Sequence, residues 1–219
     1  MSTSRTIIIN AAGIGSRLGM NIPKTLIPIH GKPVIFWILN ALKKERNIKI
    51  VVGYKASEII KFVSQIRNDI IFVNNKNFDK TGTSASFLLA CRNESCKEVI
   101  SIDGDLIFSK NGIQKILGSK ECCIGVTKPG TDNAIFVKEK KKFSKIYYNG
   151  FTKLKTRFEW SGIFKIKLNK LNIYDKSFHI YEMLKKIKSE FKIYQINSMD
   201  FDTPHDLNKL KKEFRKIYY

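Results

Sequence analysis

Short apolar runs alternate with amphipathic stretches through the first half of this 219-residue chain. Apolar runs with the length of buried strands occupy residues 7–9, 48–52, 69–74 and 98–103. Apolar residues at helical spacing occupy residues 33–44, 57–66 and 84–91, with Ser57 and Ser84 as candidate N-caps. Because the strands are apolar along their whole length, this alternation predicts a parallel sheet that is covered by helices.

The pattern changes near residue 120. Shorter strand candidates, separated by glycine and lysine turns, occupy residues 122–127, 133–138, 143–148, 159–166 and 192–196. Helical spacing returns at residues 180–188 and again from Pro204 onward, where proline occupies a favoured first helical position. We therefore predict one α/β domain over residues 1–219, with a mixed sheet that is mostly parallel.

The chain carries a large excess of positive charge. Lysine and arginine number 40 against 19 acidic residues, which gives a net charge of +21. An excess of this size suits nucleic acid, an acidic membrane surface or an anionic substrate. It is also typical of a lysine-rich chain whose charges are spread over solvated faces. Residues 209–216 favour this second interpretation, because the surrounding apolar residues have the spacing of one buried helix face: Leu207, Leu210, Phe214 and Ile217.

Absences in the sequence narrow the class of protein further. No apolar run reaches the roughly 18 residues of a membrane-spanning helix, and the N-terminus has no secretory signal, so we expect a cytoplasmic protein without a membrane partner. The cysteines, Cys91, Cys96, Cys122 and Cys123, have neither C-x-x-C spacing nor a histidine at ligand spacing. A zinc site and a disulfide framework are therefore not expected.

A loop of small residues follows the first strand, and it consists of Ala11, Ala12, Gly13, Ile14 and Gly15. Backbone N–H groups can approach a ligand closely here, and the cations Arg17 and Lys24 follow, which suits a triphosphate. A plain tight turn would explain the glycines alone. A dinucleotide site needs an acidic residue about 20 positions later, and residues 30–36 contain none. A P-loop needs Ser or Thr after Gly-Lys, and here Pro33 follows.

Acidic residues stand after the fourth strand and before the last helix. Asp103 and Asp105 belong to the first segment and Asp202 to the second. An Asx turn would explain the first segment alone, and a helix cap by Asp202 or Thr203 would explain the second. As a pair, the segments suit Mg²⁺, which prefers carboxylate oxygen and takes phosphates as further ligands.

The whole N-terminal stretch resembles a known family. AAGIGSRLG, then Pro23-Lys24, then Gly31-Lys32-Pro33 before an apolar helix, is similar to the signature of nucleotidyltransferases that activate sugar phosphates, phosphocholine and related compounds, the MobA-like NTP transferases. The resemblance implies a Rossmann-like, glycosyltransferase-A type fold. It also implies a nucleotide-binding half over about residues 1–120 and an acceptor-binding half over about residues 121–219.

The same resemblance implies roles for individual residues. Arg17 and Lys24 would bind the phosphates, and Asp105 and Asp202 would hold Mg²⁺. Nucleotide contacts are implied for Ala11, Ala12, Gly13, Ile14, Gly15, Thr81, Gly82, Thr83 and Ser84. Asp103 would either contact the ribose of the nucleotide or have a purely structural role. Acceptor contacts are implied for Tyr148, Glu159, Trp160 and Gly162. Trp160 beside Glu159 would either cage a cationic amine or belong to the core.

The implied activity is transfer of a nucleoside monophosphate, with CTP favoured, onto a phosphorylated small molecule such as phosphocholine, a phosphonate or phosphoglutamine. Such a reaction would serve the decoration of cell-surface polysaccharides, in capsule or lipopolysaccharide. A sugar 1-phosphate with UTP, dTTP or GTP is the alternative within the class. A basic nucleic-acid-binding protein is the alternative outside it, although no nucleic-acid-binding motif is present. We expect no appended domain in a chain of this length, and a homodimer is left open.

Overall fold

The computed structural model describes residues 5–130, 134–142 and 145–219. Its strands are β1 Arg5–Ala11, β2 Pro28–Ile29, β3 Lys32–Pro33, β4 Ile48–Val52, β5 Ile71–Asn74, β6 Glu98–Asp103, β7 Ile107–Phe108, β8 Cys123–Thr127, β9 Phe136–Lys142, β10 Lys145–Thr152, β11 Phe158–Lys167, β12 Lys192–Gln195 and β13 Ser198–Met199. Its α-helices are α1 Val34–Ala41, α2 Ala56–Ser64, α3 Thr83–Cys91, α4 Lys110–Leu117, α5 Ile180–Lys186 and α6 Pro204–Tyr218.

One large mixed sheet runs through the described residues in the strand order β5-β4-β1-β6-β11-β8-β12-β10-β9. Strands β4 and β6 flank β1 in parallel, and β5 continues the parallel part to the edge. Strand β11 is antiparallel to β6 and β8, and it joins the parallel part to the strands that follow residue 120. The α/β fold class and the mixed sheet predicted from the sequence are confirmed, but the sheet is not mostly parallel. Among the described residues, four of its strand pairings are parallel and five are antiparallel. Every antiparallel pairing of this sheet involves a strand after residue 120, since β11 is antiparallel to β6, β8 and β9, and β10 is antiparallel to β9 and β12.

Helices cover both faces of the sheet. Helices α1, α2, α4 and α6 pack over one core, and α3 and α5 pack over the other. Strand β1 serves both cores, because Ile7 and Ile9 point to the first and Ile8 points to the second. A strand buried on both faces is a continuous apolar run, which explains why β1 stands out in the sequence.

Two predicted helix caps are wrong. Helix α2 begins at Ala56, so Ser57 lies inside the first turn, and Lys55 with φ +47° occupies the cap position. Helix α3 begins at Thr83 after Gly82, so Ser84 is not its cap.

Helix α4 was not indicated by the sequence pattern. Its cap is Ser109, whose Oγ accepts a hydrogen bond from the Gly112 N–H at 3.1 Å. Ile113, Ile116 and Leu117 are buried. The apolar face covers little more than one turn because the helix opens with lysine, asparagine and glycine, which weakens the periodic signal.

Some of the remaining sequence predictions agree with the structure, and others have shifted bounds. The apolar face of α6 is buried as predicted, and all four cysteines are buried and unpaired. Strands predicted over residues 133–138 and 143–148 are shifted to β9 and β10, while Asn133, Phe143 and Ser144 lie outside the described residues. Across the described ranges, no helix combines the length and the apolar character that crossing a bilayer requires.

Candidate active site

The carboxyl ends of β1 and β6 meet beside a cavity of about 550 Å³. Open α/β sheets bind ligands at this edge. Of the residues predicted to be functional, the following line the cavity: Ala11, Gly13, Gly15, Arg17, Lys24, Thr83, Asp103, Asp105, Glu159, Trp160, Gly162 and Asp202. The cavity thus collects residues from both parts of the chain.

Lys24 joins the two carboxylates that were predicted to hold a metal ion. Its ammonium donates a hydrogen bond to Asp105 Oδ2 at 2.9 Å and a second one to Asp202 Oδ1. Arg17 adds another ion pair, with Nη2 2.8 Å from Asp202 Oδ2. The Arg17 side chain is 56% exposed and the Lys24 side chain 15% exposed. Lys24 is therefore largely buried between the carboxylates, and Arg17 lies where solvent reaches it.

The two carboxylate partners of Lys24 keep its amine protonated. Burial alone would lower the pKa of this ammonium. The charges and hydrogen bonds of Asp105 and Asp202 outweigh burial and raise the pKa above its ordinary value. Lys24 is therefore a cation at neutral pH, as the binding of a phosphate requires.

A two-stranded ribbon explains how Asp105 and Asp202 meet. Strands β7 and β13 pair antiparallel, with Met199 opposite Ile107. Asp105 lies just before β7 and Asp202 follows β13, so pairing brings the two segments side by side. Ile107 and Phe108 are each 1% exposed, which anchors the ribbon in the core.

The first turn of α6 fixes the backbone at Asp202. Asp206, only 2% exposed, accepts hydrogen bonds from the N–H groups of Asp202 at 3.3 Å and Thr203 at 3.1 Å. The Thr203 hydroxyl in turn accepts from the Asp206 N–H at 3.1 Å, which completes a capping box. The helix cap is thus formed by Thr203 and Asp206, and the Asp202 carboxylate faces the cations instead.

Asp103 and Asp200 add two more carboxylates to the cavity wall. Burial, together with the charges of Asp105 and Asp200, raises the pKa of Asp103 well above its ordinary value. Burial and the charges of Asp105, Asp202 and Glu159 raise the pKa of Asp200 to about 7. Sequence reasoning missed Asp200. The available signal was the alternation Asp-Phe-Asp, which in an extended segment puts both carboxylates on one side and the buried Phe201 on the other.

Gly162 lies directly against Asp103. Its φ is +76°, and a Cβ at this position would lie 2.5 Å from Asp103 Oδ2, so a side chain does not fit. Asp103 Oδ1 is buried and has no hydrogen-bond partner among the described residues. This oxygen is therefore an available acceptor for a ligand hydroxyl, such as one on a ribose.

The glycine loop is shaped around Lys24. Gly15 has φ +67°, and a Cβ there would lie 2.7 Å from Lys24 Cγ. The loop continues into the 3₁₀ turn Ser16–Leu18, which holds Arg17 at the cavity. Ala12 is buried and Ile14 is largely exposed, and neither lines the cavity.

The second predicted nucleotide segment reaches the cavity only through Thr83. The Thr81 hydroxyl donates to the Asn77 carbonyl at 2.8 Å, so it holds its own loop together. Gly82 lies against the Phe178 carbonyl, where a Cβ would come within 1.9 Å, and Ser84 is fully buried. Thr81, Gly82 and Ser84 therefore support the wall and do not form it.

The predicted acceptor residues divide in the same way. Tyr148 lies outside the cavity, because its ring packs into the core against Phe151 at 4.7 Å, and burial raises its pKa to about 12. Trp160 both lines the cavity and packs against Phe151 at 5.4 Å. It therefore belongs partly to the core and partly to the site. The Glu159 carboxylate accepts a hydrogen bond from the Gly130 N–H at 2.7 Å and is 4% exposed.

Sequence reasoning missed a group of cavity-lining residues near Trp160 that consists of Lys153, His179 and Tyr181. The His179 and Tyr181 rings are stacked, with centroids 5.4 Å apart and planes 13° apart. The Lys153 ammonium lies 6.0 Å from the Tyr181 ring centre. No residue pattern connects these positions in the sequence, because they come from a loop after β10 and from the start of α5.

The carboxylates Asp105 and Asp202 fit a divalent cation. They already converge on one cation, the Lys24 ammonium. Mg²⁺ typically takes one or two protein carboxylates and completes its shell with water and substrate phosphates. No group of three or more acidic, histidine or cysteine side chains in the described ranges forms a fuller metal site. A metal ion here would therefore depend on the phosphates of a bound substrate.

Comparison with known proteins places the chain in a family. Residues 7–141, more than half of the chain, match the model of the MobA-like NTP transferase domain. The chain belongs to the MobA-like NTP transferase family. This is a family of nucleotidyltransferases, so the resemblance drawn from the N-terminal motif is confirmed.

Curated relatives of this family member are longer proteins. The bifunctional protein GlmU of Methanococcus aeolicus is 32% identical over 105 residues, which cover 46% of this chain and 25% of that protein. The bifunctional protein GlmU of Buchnera aphidicola subsp. Baizongia pistaciae is 27% identical over 217 residues, which cover 94% of this chain and 47% of that protein. The chain thus spans about half or less of the length of these relatives.

Solved structures share the fold over nearly the whole chain. The inositol-1-phosphate CTP transferase of T. maritima superposes with a TM-score of 0.78 at 20% identity and covers 98% of this chain and 96% of its own. HddC of Yersinia pseudotuberculosis complexed with GMP-PN superposes with a TM-score of 0.76 at 22% identity, and the match covers 95% of this chain and 99% of HddC. The CTP:phosphocholine cytidylyltransferase LicC of Streptococcus pneumoniae superposes with a TM-score of 0.71 at 17% identity, and the match covers 96% of this chain and 99% of LicC.

Proposed function

We propose that this protein transfers a nucleoside monophosphate from a nucleoside triphosphate, with CTP favoured, to the phosphate of a small-molecule acceptor and releases pyrophosphate. The observation that carries this proposal is the cluster of Arg17 and Lys24 with Asp105 and Asp202. Two cations for phosphates and two carboxylates for a metal ion line the same cavity as the glycine loop. Phosphoryl transfer depends on groups of this kind, which position the phosphates and neutralise their charge.

The chain's own residues would act by positioning and by charge neutralisation. An acceptor phosphate is already anionic near neutral pH, so its oxygen attacks the α-phosphorus without a general base. The largely buried Lys24 would neutralise the transferred phosphate, and the exposed Arg17 would bind the departing pyrophosphate. Asp103 Oδ1 would accept a hydrogen bond from the ribose.

Asp105 and Asp202 would hold Mg²⁺. When bound, this ion supplies further neutralisation of phosphate charge and helps to orient the triphosphate. A triphosphate would draw Lys24 and Arg17 away from the carboxylates, because phosphate oxygens compete for the same cations. The ion pairs of Arg17 and Lys24 with Asp105 and Asp202 hold these four charged groups together at the cavity.

The preference for CTP rests on the structural similarity of this chain to two proteins of known structure. The structures of an inositol-1-phosphate CTP transferase and of a phosphocholine cytidylyltransferase match this chain nearly from end to end. By the same analogy the acceptor is a phosphorylated small molecule such as phosphocholine, a phosphonate or phosphoglutamine, destined for a cell-surface polysaccharide. A sugar 1-phosphate paired with UTP, dTTP or GTP is the alternative, since fold alone does not fix the substrate.

The proposal is tested by pyrophosphate release. Purified protein is incubated with Mg²⁺, with CTP, UTP, GTP, dTTP or ATP in turn, and with each member of a panel of phosphorylated acceptors. We expect release with one nucleotide, CTP, and one class of acceptor, and none when EDTA removes the metal. Failure to bind any nucleotide would contradict the proposal.

A further inference from the structure

The acceptor end of the cavity presents a cation, Lys153, for which the described residues supply no carboxylate partner. Lys153 lines the cavity with an exposed side chain, and no carboxylate of the described residues forms an ion pair with it. Its ammonium lies 6.0 Å from the centre of the Tyr181 ring. The Lys185 ammonium lies 5.4 Å from the same ring, so two lysines flank this aromatic side chain.

The nearby acids are engaged by the protein itself. The Glu159 carboxylate is almost fully buried and accepts the Gly130 N–H at 2.7 Å. The Glu182 carboxylate accepts the N–H groups of Phe178 and His179, each at 3.1 Å. Backbone donors thus hold one oxygen of each of these two carboxylates, and the other Glu182 oxygen lies 3.4 Å from the Tyr181 hydroxyl. The ammonium of Lys153, by contrast, faces the cavity.

The aromatic side chains here are not arranged as a site for a cationic amine. A quaternary ammonium needs ring faces that are open and negative charge near them. The Tyr181 ring is stacked on His179 and flanked by two ammonium groups, and like charges repel across a short distance. A group of negative charge would meet Lys153 directly.

We infer that the acceptor carries a second anionic group, a carboxylate or another phosphate, remote from the phosphate that attacks, and that Lys153 selects it. The inference rests on the proposed function, because it assigns a substrate class to the acceptor end of that same cavity. Lys153 acts here as a specificity-determining residue, and phosphocholine is the acceptor that it disfavours.

The test uses the fluorescence of Trp160. The chain has two tryptophans, and Trp37 lies outside the cavity and packs against Phe214 and Tyr218, so a ligand-dependent change reports Trp160. Three probes of different charge are titrated without nucleotide: phosphoglycerate, glycerol phosphate and phosphocholine. We expect phosphoglycerate to bind about tenfold more tightly than glycerol phosphate, and phosphocholine to bind least tightly.

Variants identify the residue responsible. Lys153→Met should remove the preference for phosphoglycerate, and Lys153→Glu should shift the preference toward phosphocholine. Lys155→Met is the matched control, because Lys155 is exposed on the same loop and does not line the cavity. Equal affinity for the three probes, no saturable signal with any of them, or an equal effect of Lys155→Met would overturn the inference.

Nucleotide binding and pyrophosphate release, measured on the same preparation, separate this inference from the proposed function. If both persist while the charge preference is absent, the inference fails and the function stands. If the preference is present but nucleotide does not bind, the function fails.

Discussion

Lys24 Nζ lies 2.9 Å from Asp105 Oδ2, although 81 positions separate the two residues in the chain. Asp202, 178 positions from Lys24, binds the same ammonium. The three side chains meet only because β6, the β7–β13 ribbon and the glycine loop are packed at one edge of the sheet. The charge of the site is therefore a product of the whole fold, and damage to any of these elements should disturb it.

Replacing Gly15 should disturb Lys24. A Cβ at Gly15 would lie 2.7 Å from Lys24 Cγ, and its φ of +67° is unfavourable for alanine by about 1–2 kcal/mol. We expect Gly15→Ala to lower the free energy of unfolding by that amount and to slow turnover. Urea unfolding and initial rates measure the two effects. Gly13→Ala is the control for unfolding, since a Cβ there meets no atom within 4 Å; a larger loss of stability in this control would contradict the packing argument.

Gly82 is expected to be intolerant of any side chain. A Cβ there would come 1.9 Å from the Phe178 carbonyl oxygen, a backbone atom that cannot rotate away. Gly82→Ala should therefore cost about 1–3 kcal/mol, as overpacking of a well-packed region does. Thermal or urea unfolding measures the change. Wild-type stability in this variant would mean that the segment before α5 does not press on α3 as described.

The buried Lys165 should matter more for stability than for catalysis. It is 3% exposed, lies 2.8 Å from Glu98 Oε2, and donates to the Ser119 carbonyl at 2.7 Å. Lys165→Met leaves these acceptors without their donor, so we expect a loss of about 3 kcal/mol. Lys167→Met, at an exposed position on the same strand, should change the free energy of unfolding by much less. Equal losses in the two variants would rule out the buried ion pair as the cause.

Glu94 should contribute a stability that disappears in acid. Burial would raise the pKa of Glu94, but hydrogen bonds from Lys49 and Thr6 outweigh it and lower the pKa below its ordinary value of 4.5. A carboxylate whose folded pKa is lowered adds stability above its unfolded pKa and loses it as the pH falls through the folded value. Glu94→Gln should therefore be destabilised at neutral pH, and the difference from wild type should vanish on acidification. Urea unfolding over a pH series checks this, and a difference that does not change with pH would refute it.

The sequence predicted cavity-lining residues correctly where they stand close in the chain to a strand or helix with a clear apolar pattern. Strand β1 is buried on both faces, so it is a continuous apolar run, and the glycine loop with Arg17 and Lys24 follows it in the chain. Asp105 follows another buried strand, and Asp202 precedes a helix that begins with proline and has a clear apolar face. These four residues could be named in advance because the family resemblance implies their roles and because they stand near elements that the pattern reveals.

The rest of the site depends on packing that leaves no pattern. The β7–β13 ribbon has two-residue strands, too short for any periodicity. Tyr148 was predicted at the acceptor, but it packs against Phe151 and Phe191 in the core. Lys153 and Tyr181 meet only through tertiary contact. Sequence spacing gives the order of the functional residues, but it does not give the direction in which each side chain points.

The central claim is that Asp202 belongs to a metal and phosphate centre and is not only a neighbour of a helix cap. The direct measurement is the rate of pyrophosphate release by Asp202→Ala under conditions in which the wild type turns over, together with its circular dichroism. We predict a loss of about 10²- to 10³-fold, as when one charge-stabilising group is removed, with the fold retained. Asp79→Ala, at an exposed position, controls for the loss of a carboxylate. Turnover at the wild-type rate in a folded Asp202→Ala protein would contradict the account.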